Sequence, residues 1–145
     1  MVKPGADAVD RLVLDTSAYS HFRAGHPDVL DRLAQATTVV LPVTVIGELE
    51  AAFQLGRRAV ENRVALAEFL DEPFVTVWPT TTAVAGHYGR LFAALKNAGT
   101  PIPVNDVWIA AACFDCVGRL VTFDGDFTRI PGLACTVLIP RSPER

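Results

Sequence analysis

Four acids in this sequence stand where a carboxylate is seldom left for solvation alone. Asp15 ends the apolar run RLVL, Asp124 follows LVTF, Glu48 follows VTVIG, and Asp106 precedes VWIAAAC. Acids held against a core repel one another and take up protons unless a cation neutralises them. Oxygen ligands with no His or Cys beside them select hard ions such as Mg2+ or Mn2+, which keep several waters and bind next to phosphate substrates. The chemistry open to such a set is metal-assisted phosphodiester hydrolysis, in which one ion activates water and a second can stabilise the leaving oxygen.

Each acid also has a plainer explanation. Asp15, followed by Thr16 and Ser17, suits a helix cap, and Asp106 suits a first-turn acid that complements a helix dipole. Glu48 competes with Glu50, and Asp124 and Asp126 lie in DGD, a turn pattern. What favours the joint reading is the arrangement of elements. The runs RLVLDT, TTVVLPV, FVTVW, RLVTF and CTVLI alternate with helical stretches. One or two helices are expected over 17–36, broken near Gly25 and Pro27, and a helix pair over 43–72, interrupted near Gly56. A further helix closes at Gly99 with Lys96 in its last turn. The last opens after prolines, with Asn105 as a cap candidate, and closes on Gly118. Such alternation predicts a parallel sheet covered on both faces, with ligands bound beyond the carboxyl ends of its strands. Strand-end Asp15 and Asp124 and helix-start Glu48 and Asp106 then face one crevice.

The 145 residues suit one domain spanning 1–145, its core about 11–139 between short tails. Half the residues are apolar and the mean hydropathy is +0.30, yet no apolar run approaches the roughly 18–20 residues of a membrane span. The excess apolarity is therefore expected in a dense core or a partner interface. MVKPGADAVD carries charges where a signal peptide needs an apolar segment, and three cysteines suit a reducing compartment, so a cytoplasmic protein is expected. A net charge of −3 excludes coating of nucleic acid by bulk electrostatics. Only Lys3 and Lys96 are lysines; the other basic residues are arginines, the better fork for phosphate or carboxylate.

Taken in order, LVLDTSAY, VTVIGELEAAFQLG, IPVNDVWIAAAC and LVTFDGDFTRIPGL resemble the motifs of PIN-domain ribonucleases, most closely the VapC toxins of toxin–antitoxin systems. The likeness runs from about Leu12 to Leu138. It implies a three-layer α/β/α domain with a mostly parallel central sheet and Mg2+- or Mn2+-dependent endoribonuclease activity. By the same resemblance Asp15, Glu48, Asp106 and Asp124 are the catalytic, metal-binding acids, with Asp126 the runner-up for the fourth place. Thr16 or Ser17, and Thr122, match the polar residues that steady them. The implied substrate is a structured RNA such as tRNA, cut to leave a 5′-phosphate and a 3′-hydroxyl. The implied partners are a VapB-like antitoxin and a second copy of the chain.

Other features carry less. Cys113 and Cys116 in CFDC have redox or zinc spacing, but they lie in an apolar helix with no second ligand pair, which favours packing. His21, His26 and His87 form no ligand pattern, and Trp78, Tyr88, Phe92 and Trp108 read as core or interface. Arg23, Arg57, Arg58 and Arg90 are candidate phosphate contacts that compete with a solvated helix face. A phosphoaspartyl hydrolase needs a second Asp where Ser17 stands, and a receiver domain needs a late lysine that the sequence lacks. The competing reading is a non-catalytic PIN-like module that binds metal or RNA.

Overall fold

A strand buried on both faces needs an unbroken apolar run rather than alternation. In the computed structural model, which describes residues 10–141, three strands have that character. They are β1 (Arg11–Leu14), β2 (Thr38–Pro42) and β4 (Arg119–Thr122), and each is buried in all but its first residue. β3 (Val75–Trp78) and β5 (Cys135–Val137) have no fully buried residue and form the edges. The order is β3-β2-β1-β4-β5, with every neighbouring pair parallel. The mostly parallel sheet expected is thus parallel throughout the described residues. The tails at 1–9 and 142–145, Lys3 among them, lie outside those residues.

Helices α1 (Thr16–Arg23) and α2 (Pro27–Gln35) join β1 to β2, and α3 (Val43–Leu55) and α4 (Ala59–Leu70) join β2 to β3. The breaks fall at the expected places, around Gly25 and Gly56. From β3 the chain turns back across the sheet through α5 (Thr82–Asn97) and α6 (Val104–Cys116) to β4. Because parallel crossovers are right-handed, this reversal of direction covers the second face. β1 and β4 flank the point where the strand order reverses, the place where open parallel sheets bind their ligands.

Local chemistry sets the helix ends. The Asp15 carboxylate accepts from Ala18 N–H to cap α1, Thr81 Oγ1 accepts from Val84 N–H to cap α5, and Gly99, at φ 71°, closes α5 in the left-handed conformation. Two expectations need correction at α6. Its N-cap is Pro103, without a side-chain cap, and Asn105 lies exposed inside the first turn. With Pro103 extended at ψ 144°, the helix begins at Val104, before Asn105 can cap it. At the other end the left-handed residue is Val117, at φ 53°, rather than Gly118. Gly118 still takes part in closing the helix, its N–H donating to the Cys113 carbonyl at 3.0 Å, and it also serves close packing: a Cβ there would lie 2.7 Å from Val13 Cγ2 and 2.9 Å from Cys116 Sγ.

The core joins both faces of the sheet through Leu12, Leu14, Leu41, Ile109, Leu120 and Phe127, all 0–1% exposed. Cys113 and Cys116 are buried and unbridged, and burial raises both thiols above their ordinary range, as packing residues should behave. Tyr88 stacks on Trp108 with ring centroids 4.0 Å apart, and the Trp78 indole N–H donates to Asp115 at 2.8 Å. Among the described residues no helix is long and apolar enough to cross a membrane.

Candidate active site

Beyond the carboxyl ends of β1 and β4 the structure gathers the acids singled out above. Asp15 is 5% exposed and follows β1 directly. One of its oxygens, Oδ1, accepts from Ala18 N–H at 2.8 Å and from Ser17 Oγ at 2.7 Å; the other, Oδ2, accepts a short hydrogen bond from Thr122 Oγ1 on β4. Ser17 Oγ in turn accepts from Phe123 N–H at 3.1 Å, and Thr122 Oγ1 accepts from Asp124 N–H at 3.0 Å. The two strand ends are laced together through one carboxylate. Burial raises the Asp15 carboxyl above its ordinary value, the hydrogen bonds from Thr122, Ala18 and Ser17 oppose that, and the Asp124 charge adds to it.

Thr16 donates to Glu48 Oε1 at 2.7 Å and so fixes the α3 acid against the start of α1. Glu48 sits in the second turn of α3, a helix that follows β2 with no intervening loop. Asp106 lies in the first turn of α6. Its carboxyl is pushed up to about 6, first by burial and then by the charges of Asp124, Glu48, Asp15 and Asp126 in descending order. All four acids thus lie close enough to Asp106 for their charges to reach it. Asp124 caps the short 3-10 turn Gly125–Arg129 by accepting from Asp126 N–H at 2.9 Å, so the turn expected from DGD is also present.

One cation at this rim was not picked out from the sequence. Arg129 reaches Asp126 Oδ1 at 3.5 Å and donates to the Pro101 carbonyl at 3.3 Å. Its position three residues after Asp126 in DFTR, on a helical turn, is the pattern that could have found it. Of the arginines that were considered, Arg58 pairs with Glu61 at 3.4 Å, Arg90 contacts His87 Nδ1 at 3.0 Å, and Arg23 lies over the Phe22 ring. None of those contacts involves a crevice acid.

The donors offered by the crevice are hard oxygens, and their mutual repulsion is what a divalent cation would relieve. Among the described residues no three His, Cys, Asp or Glu side chains form a ready-made ligand set. The hard oxygen donors themselves suit an ion that takes a few carboxylate oxygens and completes its shell with water or substrate oxygens, the habit of Mg2+.

The PIN-domain family profile matches residues 12–133. Ribonuclease VapC5 of Mycobacterium tuberculosis is 31% identical over 134 residues, covering 88% of this chain and 93% of that protein. Ribonuclease VapC1 of Haemophilus influenzae strain R2866 is 27% identical over 130 residues, covering 83% and 92%. Among solved structures, the crystal structure of VapBC2 from Rickettsia felis, bound to a DNA fragment from its promoter, superposes with a TM-score of 0.78. That match has 24% identity and covers 88% of this chain and 98% of that one. The fold, the order of the acid-bearing motifs and these likenesses agree: the chain belongs to the PIN-domain family, among the VapC ribonucleases.

Proposed function

We propose that the chain is a Mg2+- or Mn2+-dependent endoribonuclease, the toxin of a VapBC-type pair. In this reading it hydrolyses structured RNA such as tRNA to 5′-phosphate and 3′-hydroxyl ends. The observation that carries the proposal is the placing of Asp15, Glu48, Asp124 and Asp126 near a half-buried Asp106, whose carboxyl is pushed up to about 6 by burial first and by their charges second. A pure helix-cap role for each acid needs no such convergence. A bound divalent ion supplies Lewis acidity toward the phosphodiester and lowers the pKa of water.

In this reading Asp15 and Asp106 are the principal ion ligands, with Glu48 and Asp124 completing the acidic wall. Asp124 takes precedence over Asp126, because its charge acts more strongly on Asp106 and also reaches Asp15. Thr122 and Ser17 hold the Asp15 oxygens in place, and Thr16 does the same for Glu48. The partner is a VapB-like antitoxin. A groove of about 570 Å3 lined by Phe22, Leu33, Phe69 and Phe74, with Arg23 and Glu68 at hand, suits the apolar face of a partner helix. A second copy of the chain is the other partner, consistent with exposed Leu55, Val60 and Val64 on α3 and α4.

The test is incubation of purified, antitoxin-free protein with total RNA in Mg2+ or Mn2+, with EDTA and Asp106→Ala as controls. Discrete fragments lost in both controls are expected, and fragment ends then identify the target. Intact RNA in the presence of folded wild-type protein would replace this reading with that of a non-catalytic PIN-like binding module.

A further inference from the structure

A crevice walled by carboxylates repels the polyanion it is meant to cut, so some cation at its rim must meet the substrate backbone. Several arginines make their contacts away from the crevice acids. Arg11 donates to the Cys116 carbonyl at 2.6 Å, Arg119 to the Cys135 carbonyl at 3.3 Å, and Arg63 to Glu50 at 3.2 Å. Arg58, Arg90 and Arg23 make the contacts described above. Arg129 differs in touching a crevice acid. It also bridges two walls of the site, the turn that carries Asp124 and Asp126 and the 98–103 loop that leads to Asp106.

We propose that Arg129 is the phosphate-binding residue of the site, holding a backbone phosphate of the RNA beside the bond to be cut. This rests on the nuclease reading above. In the substrate-free protein the guanidinium rests on two long contacts, to a carboxylate at 3.5 Å and a carbonyl at 3.3 Å, with its side chain 48% exposed. An exposed ion pair of that length contributes little, whereas a phosphate offers two oxygens in the geometry a guanidinium fork prefers. Arg129 also screens one acid of the cluster while the crevice holds no substrate.

The measurement is fluorescence anisotropy of a fluorescein-labelled 12-nucleotide single-stranded RNA in EDTA, where cleavage is arrested. Wild type, Arg129→Ala and Arg129→Lys are titrated across a series of salt concentrations, alongside Mg2+-supported cleavage kinetics on total tRNA. Arg129→Ala should weaken binding about tenfold and reduce the salt slope by roughly 0.7, the loss of one phosphate contact to a single strand. KM should rise with kcat within about twofold, and Arg129→Lys should restore the slope but only part of the affinity, because ammonium lacks the fork. A merely structural clamp would lower the unfolding midpoint of Arg129→Ala and leave the salt slope unchanged, and that result overturns the assignment. If wild type cuts RNA and Arg129→Ala matches it in slope and KM, this inference falls alone. If wild type neither binds nor cuts RNA, the nuclease reading falls with it.

Discussion

The Asp15 carboxylate accepts from Ala18 N–H, Ser17 and Thr122 at once, so capping α1 and facing the crevice are two uses of one side chain. That is why the plain reading and the chemical reading of Asp15 could not be separated in the sequence: both predict an acid at a strand end before Thr and Ser. The same holds for Asp124, which caps a turn while its charge acts on Asp106. Thr16 and Ser17 were interchangeable on paper, and only the packing of α1 against α3 sends Thr16 to Glu48 and Ser17 to Asp15. Asp106 yields a test of the cluster that does not depend on activity. Its pKa is 3.8 for an ordinary Asp and about 6 in the folded chain, so the folded state binds more protons than the unfolded one between those values. Stability from this group is therefore lost as pH rises from about 4 to above 6, and regained on acidification. In EDTA, Asp106→Asn should be more resistant to urea than wild type at pH 8, with the gap narrowing towards pH 4.5. An Asn variant no more stable at pH 8 would remove the picture of a carboxylate charge opposed by burial and by its acidic neighbours.

The elements themselves were legible because each strand is a compact apolar run and each helix break carries a glycine or proline. What escaped were helix ends, where one residue decides the geometry and competing residues stand side by side. Pro103 starts α6 by its fixed φ, which no reading centred on hydrogen-bonding caps selects over Asn105. Gly118 looked like a helix stop because glycine often is one, yet it is needed for the approach of the α6–β4 turn to Val13. Val117 is left with the strained conformation that a β-branched residue adopts poorly, at 85% exposure and so with little packing to hold it there. Two substitutions one residue apart should accordingly act in opposite directions. Val117→Gly relieves a left-handed conformation and should raise unfolding free energy by about 1 kcal/mol. Gly118→Ala forces Val13 or Cys116 to move and should lower it by roughly 1–3 kcal/mol. Urea denaturation of both proteins decides the matter, and equal signs would contradict the division of labour at this turn.

At the scale of the whole molecule, the fold class follows from alternation of element types, whereas the strand order does not, and the arginine at the rim left only its spacing from Asp126 as a local trace. Partner surfaces have the same property: the apolar excess was visible in the composition, but which residues stay outside the core was not. Leu55 at 91% and Val60 at 73% exposure are costly in water and are expected to be covered. Light scattering of the purified protein should report about twice 15.6 kDa, and a monomer at micromolar concentration would count against self-association. The hydrogen bond that joins Asp15 to Thr122 spans 107 positions of the chain. A ribosome making this protein must therefore thread nearly all of it before the first acid is fixed in place. Under the nuclease reading, a polypeptide that stops before β4 lacks both Asp124 and the Thr122 hydroxyl that holds Asp15, so the acidic site is assembled late in synthesis.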